Sequence, residues 1–184
     1  MSDTPETPNG APSGGATPNG TNGADAAQAP SLVVLAQYLK DLSFENPHAP
    51  MSFQGDTPPS IEVNVDVNGR SVGTDQYEVE LSVAAHASRG GDRIFVVEAS
   101  YAGVFEIKNI PRDQLEPVML VECPRLMFPF LRQIVSDATR NGNFPPLMME
   151  PIDFFAVYQN NLQRKAQLAA QQGDADDQPP ADAS

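Results

Sequence analysis

Two segments of the chain alternate, residue by residue, between aliphatic and polar side chains. The first, Ile61–Val67, directs four β-branched residues toward one side and three polar residues toward the other, namely Glu62, Asn64 and Asp66. The second, Tyr77–Val83, repeats the pattern. A period of two places successive side chains on opposite sides of a strand. These segments therefore predict an antiparallel sheet with one buried face and one solvated face.

Two further segments complete the predicted sheet. Ser31–Phe44 is rich in β-formers, and its apolar residues occupy both faces, which predicts a strand that is covered on both sides or lies at a subunit contact. Ile94–Ile107 predicts one long strand in which Gly103 marks a bulge or a bend. Short connections, among them an Asn68-Gly69 turn and a hairpin loop at 88–92, predict that the four strands form a meander.

The pattern changes to a helical period after the last strand. A helix opens at 109–113 with a proline in its first turn, and Pro124 and Pro129 are expected to interrupt or kink the helical region. An apolar stripe at helical spacing ends at Asn141-Gly142. The stripe comprises Leu126, Phe130, Ile134, Val135 and Ala138. Another helix begins near Pro151, so the predicted fold class is α+β, a four-stranded antiparallel sheet followed by helices packed on one face.

Composition divides the 184 residues into three parts. Residues 1–30 contain five Pro and five Gly, with Met1 as the only large apolar side chain. Such a segment cannot bury enough apolar surface to offset the entropy lost on ordering, so we expect a disordered extension there. Residues 31–165 are numerous enough to form one domain with its own core. Residues 166–184 predict a helix end followed by an acidic disordered tail.

The chain is strongly acidic, with a formal net charge of −13. All 11 Lys and Arg lie between Lys40 and Lys165, where 17 acids still outnumber them. A domain of this charge is not expected to bind nucleic acid by neutralising phosphates, or an anionic membrane surface. Charge alone leaves two interpretations open: a basic protein partner, or acidity that serves only solubility.

The residues that could carry chemistry are few and scattered. The single cysteine, Cys123, permits no intramolecular disulfide and is expected to be a small buried hydrophobe. His48 and His86 have no cysteine or carboxylate at a metal-ligand spacing, and Gly90-Gly91 lies in a hairpin rather than between a strand and a helix. We therefore predict no catalytic activity, no metal site and no cofactor. No signal peptide or long apolar run is evident, so a cytoplasmic protein without membrane insertion is expected.

An apolar surplus is the more informative feature. Asn143–Leu162 contains three Pro, three Phe, two Met and a Tyr at the join between two predicted helices. Methionine is flexible and polarizable, and it is common on surfaces that fit many shapes. Such residues at helical spacing usually pack in a core, and that alternative stays open. The prolines, however, favour an irregular connection beside an apolar groove that would accept extended peptides.

Three motifs occur in order along the chain. They are Tyr-Leu-Lys-Asp-Leu-Ser-Phe-Glu-Asn-Pro-His-Ala-Pro at 38–50, Cys-Pro-Arg-Leu-Met-Phe-Pro-Phe at 123–130 and Gly-Asn-Phe-Pro-Pro-Leu-Met-Met-Glu-Pro-Ile-Asp-Phe at 142–154. Together they resemble the SecB family of bacterial protein-export chaperones over about 32–165. The resemblance implies a homotetramer, a dimer of dimers, that holds unfolded precursor proteins without ATP and delivers them to the translocation ATPase SecA.

The resemblance also implies where the partners bind. In the family, two acids of the first-strand motif contact the zinc-bearing basic tail of SecA, and they match Asp41 and Glu45. A leucine and a glutamate of the last strand act similarly and align with Val96 and Glu98. The zinc belongs to SecA, so no metal or cofactor is implied for this chain. The candidate lining of the client grooves is Phe44, Met127, Phe128, Phe144, Leu147 and Phe154.

Two other classes of protein stay open at this point. A small α+β enzyme, such as a thioesterase, would also dimerise and carry an apolar pocket, and it should have a pocket carboxylate or histidine with a perturbed pKa. A non-chaperone adaptor would not slow the refolding of an unfolded client. The chaperone interpretation implies passive holding of an unfolded client, in which several weak apolar contacts act together.

Overall fold

Four long strands form one antiparallel sheet in the computed structural model, which describes residues 29–176. They are β1 (Ser31–Glu45), β2 (Ser60–Gly73), β3 (Gln76–Arg89) and β4 (Asp92–Lys108). The strand order is β1-β4-β3-β2. Hairpins join β2, β3 and β4, but the first turn lies at 74–75, and the predicted turn at Asn68-Gly69 is wrong because both residues pair within β2. Strand β1 pairs with β4, so the predicted four-stranded meander is also wrong. The reason is the connection from β1 to β2, which is long and includes a 3-10 turn at Met51–Phe53, so it can cross the sheet.

Helical segments follow the sheet, as the fold class predicted. They are α1 (Arg112–Pro117), a π-helical turn (Val118–Glu122), α2 (Cys123–Asn141) and α3 (Phe154–Asp176). Pro124 and Pro129 do not interrupt the helical region, because the backbone stays helical from α1 through α2. Pro124 is the second residue of α2 and directly follows the π-helical turn, so the N–H that proline lacks falls where the hydrogen-bonding pattern of the helix changes.

The core lies between α2 and the face of the sheet that we call the helix face. Leu81 and Phe105 on the sheet and Leu131 on α2 have exposures of 0%. The predicted stripe on α2 mixes two sides of the helix, because Val135 is buried whereas Leu126 and Phe130 are 45% and 51% exposed. The burying side instead comprises Met127, Phe128, Leu131, Val135 and Thr139.

The alternation of β2 is correct, but the burial inferred from it is only partly so. Val67 is 5% exposed, whereas Ile61 and Val63 remain 42% and 41% exposed. Because β2 is an edge strand and α2 contacts mainly β4 and β3, one end of β2 extends beyond the helix cover. These exposed aliphatic side chains become part of a groove described below.

The bulge expected at Gly103 is absent, because Gly103 pairs with Gln37 and Val79 without a shift of register. A Cβ atom at Gly103 would lie 2.7 Å from Cε2 of the buried Phe105, so glycine is needed there for space. Register shifts occur at other positions, near Ile94 at the start of β4, near the end of β2, and in β1, where Leu35 and Lys40 are the extra residues.

Strand β1 forms the other edge of the sheet, and both of its sides carry exposed aliphatic residues. Val33, on the open side, and Val34, on the helix side, are 46% and 40% exposed. The expectation of cover on both sides is therefore not met within one chain, and the subunit contact stays a prediction. The extension predicted over 1–30 and the acidic tail lie largely outside the described residues. Between residues 29 and 176, no helix combines the length and the apolarity needed to cross a membrane.

Candidate functional site

The face of the sheet opposite α2, called the open face here, gathers the four residues predicted to contact a basic partner. Glu45 pairs with Val96, and Ser43 pairs with Glu98. Residues that pair directly across antiparallel strands point to the same face, with Cβ atoms about 4.5–5.5 Å apart. Glu98 therefore lies diagonally between Asp41 and Glu45, and the three carboxylates form one group that we call the acidic end.

The bulge at Lys40 decides which side chains of β1 reach the open face. Tyr38 pairs with Ala102 and Asp41 pairs with Ser100, so Lys40 is inserted between two residues of the same face. An extra residue reverses the alternation beyond it. Without the bulge, Asp41 and Glu45 would point to the helix face, and Phe44 would point to the open face instead of the helix face.

Charge is unevenly distributed along the open face. At the end remote from Glu45, cations pair with the acids: Lys40 with Glu80, Arg70 with Glu78, and Lys108 with Glu106. Within residues 29–176, Asp41, Glu45 and Glu98 have no such partner within 4.0 Å. Uncompensated carboxylates on adjacent strands repel one another and attract a cationic ligand. Val96, their apolar companion, is only 6% exposed.

Glu78 lies at the centre of the paired end of the open face, which we call the compensated end and which comprises the pairs of Glu80, Glu78 and Glu106 with Lys40, Arg70 and Lys108. It accepts hydrogen bonds from the Tyr38 hydroxyl and from Nε of Arg70, and it is only 6% exposed. The hydrogen bond from Tyr38 and the positive charge of Arg70 lower the pKa of Glu78 although burial opposes the shift. The same hydrogen bond raises the pKa of Tyr38. Glu78 on β3 is thus held as a carboxylate by partners on β1 and β2, and these contacts link the two edge strands of the sheet.

On the helix face, two of the predicted groove residues belong to an aromatic cluster. The ring centroids of Phe44 and Phe144 are 6.3 Å apart. Phe95 and Phe53, which the sequence analysis did not single out, lie 4.8 Å and 5.3 Å from Phe144. The spacing of Phe53 and Phe95 along the chain does not predict the cluster, because the two residues belong to separate secondary-structure elements. A Cβ atom at position 142 would overlap the ring of Phe44, which explains Gly142 beside the cluster.

The segment 147–152, called the ridge here, separates two apolar grooves. The first groove, of about 430 Å³, lies between the ridge and the exposed end of β2, and is lined by Leu147 with Ile61 and Val63. The second, of about 360 Å³, lies between the ridge and α2, and is lined by Phe128 and Pro129. Met148 contributes to both grooves and is 60% exposed.

Thr139 on α2 anchors the ridge. Its Oγ1 accepts a hydrogen bond from the backbone N–H of Leu147 at 2.9 Å, and its single proton is shared between the carbonyls of Val135 and Ser136. The carbonyl of Thr139 also accepts the N–H of Phe144. The side chain is fully buried, so these bonds hold the start of an irregular segment in a fixed position.

The six groove candidates therefore fall into three places. Phe44 and Phe144 join the aromatic cluster, whereas Leu147 and Phe128 line the two grooves. Met127 and Phe154 are 0% and 1% exposed and lie in the core, so neither lines an open groove in this structure. The packing alternative that the sequence left open for methionine and aromatic residues applies to these two positions.

Cys123 is fully buried, as expected. Burial, with a smaller contribution from Glu122, raises the pKa of its thiol to about 12, which disfavours the nucleophilic thiolate. His86 lies on the open face, paired with Val96 and Glu62, and His48 lies in the loop after β1. In the part of the chain that the structure describes, no three His, Cys, Asp or Glu residues are grouped so as to hold a metal ion.

Comparison with known proteins places this arrangement in a family. A family profile described as "Preprotein translocase subunit SecB" matches residues 25–165. The chain is 52% identical over 145 residues to the protein-export protein SecB of Maricaulis maris, covering 78% of this chain and 84% of that protein. It is 51% identical over 153 residues to the SecB of Xanthobacter autotrophicus, covering 83% of this chain and 97% of that protein.

A solved structure has the same fold at low sequence identity. It is a Mycobacterium tuberculosis SecB-like chaperone in complex with a peptide from an antitoxin. The two chains share 15% identity with a TM-score of 0.56, over 66% of this chain and 90% of that one. On the profile and the close relatives together, this chain belongs to the SecB family of protein-export chaperones.

Proposed function

We propose that this protein holds unfolded precursor proteins without ATP and delivers them to SecA. The observation that carries the proposal is the separation of two surfaces on one domain. Apolar grooves lie at the helix face and the exposed end of β2, whereas uncompensated carboxylates lie on the open face. A client and a basic partner could therefore bind at the same time, as delivery requires.

The grooves on either side of the ridge are the proposed client sites. Both are open and apolar, and exposed Met148 can change rotamer to suit different side chains. The outer edge of β2 beside the first groove offers unpaired backbone groups to an extended segment. The Mycobacterium tuberculosis SecB-like chaperone of similar fold was solved in complex with a peptide, which supports peptide binding in general and not a particular groove. Binding to unfolded chains opposes their folding by mass action.

Asp41, Glu45, Glu98 and Val96 are the proposed SecA contacts. Their proximity on the open face supports one docking site for the basic, zinc-bearing tail of SecA. The carboxylates would attract lysine and arginine side chains and increase the rate of encounter, with a strong dependence on salt. The zinc ion remains with SecA, and this chain supplies carboxylates, with Val96 largely buried beside them.

A homotetramer, a dimer of dimers, completes the proposal. Two separate apolar surfaces need cover, namely the edge strand β1 with Val33 and Leu35, and the outer side of α2 with Leu126 and Phe130. Two different self-associating surfaces on one chain would generate a dimer and then a tetramer. Several client grooves in one assembly would raise the overall avidity for a long unfolded chain.

The central experiment measures the refolding of a slow-folding precursor after dilution from denaturant, with and without substoichiometric protein and without ATP. The proposal expects slower refolding. An unchanged refolding rate at every ratio would contradict it. Light scattering at the same concentrations gives the mass of the assembly, and a species smaller than a tetramer would contradict the assembly proposed here.

Two sets of variants should separate the surfaces. Met148→Ser should weaken holding and leave SecA affinity unchanged, and Met51→Ser is the control because Met51 is 61% exposed and lines neither groove.

Asp41→Ala with Glu45→Ala should weaken SecA binding at least tenfold by calorimetry and leave holding intact. Asp56→Ala with Asp92→Ala removes two exposed acids elsewhere and controls for net charge. Undiminished SecA affinity of the first pair would refute the docking assignment.

A further inference from the structure

Helix α3 brings a basic side chain to the margin of the open face. Nη2 of Arg164 lies 3.9 Å from Oδ1 of Asp66, which is the open-face residue of β2 in the same cross-strand row as Asp41. A cleft of about 550 Å³ over this row is lined by Asp41, Asp66, Glu98 and Arg164 together. Among the described residues that line the cleft, Arg164 carries the only positive charge.

The position of Arg164 follows from how α3 is fixed at its start. Oδ1 of Asp153 accepts hydrogen bonds from the N–H groups of Phe155 and Ala156, which caps the helix. Phe154 is 1% exposed and packs edge-on against Phe128, with ring centroids 5.9 Å apart. A helix rises about 1.5 Å per residue, so ten residues carry the chain about 15 Å, from this anchor to the edge of β2.

The pair of Arg164 and Asp66 differs from the other ion pairs on the open face. Lys40 with Glu80 and Arg70 with Glu78 join neighbouring parts of the sheet itself. Arg164 reaches in from another element, and the two side chains remain 68% and 47% exposed. An exposed ion pair is weak, and the arginine can be exchanged for another cation without unfolding of the domain.

We propose that Arg164 is an internal competitor for the open face. It neutralises Asp66 and so confines a basic partner segment to the side of the face that carries Asp41, Glu45 and Glu98. The proposal rests on the docking function given above and adds the residue that limits the docking site. A segment with enough positive charge would displace Arg164 and extend across Ser100 and Ser82 to Asp66, so Arg164 favours the most basic partners.

The test uses the full-length chain and a synthetic peptide rich in lysine and arginine, with calorimetric titration at low salt. Arg164→Gln should bind the peptide about two- to fivefold more tightly than the unaltered protein, the effect of one exposed ion pair. Arg140→Gln is the matched control, because Arg140 pairs with Asp137 on α2 and its loss changes the net charge equally. An equal gain in both variants would mean a general charge effect and would overturn the proposal.

A double-mutant cycle makes the test specific to Asp66. Asp66→Asn should change the affinity little on its own, and should abolish the gain in the Arg164→Gln background. A gain that persists without Asp66 would overturn the proposal. The docking function fails separately: if Asp41→Ala with Glu45→Ala leaves the affinity for the peptide unchanged, the acidic end is not the docking site, whatever Arg164 does.

Discussion

The same four strands build two faces that differ in almost every physical property. Along β3, Leu81, Val83 and Ala85 point to the helix face and are no more than 2% exposed. The residues between them, Ser82 and Ala84, point to the open face and line a cleft with carboxylates around it. Hydrophobic burial on one face supplies the stability, so the other can keep uncompensated charge. The domain thereby keeps an acidic surface beside apolar grooves without mixing the two.

The largest expected effect comes from comparing adjacent residues of β3 that point to opposite faces. Leu81→Ala should lower the free energy of unfolding by about 2–5 kcal/mol, because a fully buried side chain leaves a cavity. Ser82→Ala should cost less than about 1.5 kcal/mol, because it loses only the hydrogen bond to Ser100. Urea unfolding at one protein concentration measures both. Equal losses would show that the open face is as important to stability as the core.

An intermediate effect is expected at the ridge. Thr139→Val keeps the size of the side chain but leaves the N–H of Leu147 without its acceptor, which should cost about 1–3 kcal/mol. Client holding should fall with it, because the ridge forms a wall of both grooves. Thr139→Ser retains the hydroxyl and should preserve holding. If the refolding rate of a client is reduced equally by the Thr139→Val variant and by the unaltered protein, the hydrogen bond does not position the grooves.

The smallest effect tests the compensated end of the open face. Glu78→Gln should cost about 1 kcal/mol at neutral pH, because Arg70 is largely exposed and screened by water. The pKa of Glu78 is lowered in the folded protein, so its contribution is present above the pKa of an unfolded glutamate. It is lost as the pH falls through the lowered value. The melting temperatures of Glu78→Gln and of the unaltered protein should therefore differ at neutral pH and converge in acid. A constant difference would contradict this account.

Much of the architecture could be predicted because its signals are local. The alternation at Ile61–Val67 predicted β2, and Asn141-Gly142 predicted the end of α2, where the helix does end at Asn141. Where prediction failed, a distant element decided. Burial at Ile61 depends on how far α2 extends over the sheet, and the chain path that pairs β1 with β4 depends on a long loop.

The candidate site shows the same division. The motif at 38–50 led to the prediction of Asp41 and Glu45 as partner contacts, and the bulge at Lys40 turns both toward the face of Glu98. Phe53 and Phe95 could not be singled out, because the aromatic cluster forms only when a loop, a strand and the chain after α2 meet. Met127 and Phe154 gave the opposite error, since an apolar residue looks the same in sequence whether it lines a groove or fills a core.

The types of surface on this protein can be assigned from the order of residues alone: the alternating polar and apolar sides of β2 and β3, and a proline-rich apolar segment at 143–162. These follow from side-chain chemistry and from periods of two and 3.6 residues, which operate over a few neighbours. Which of these surfaces meet depends on how the chain packs in three dimensions. One inserted residue in β1 reverses a face, and one helix brings Arg164 to Asp66, because both depend on contacts between residues far apart in the chain.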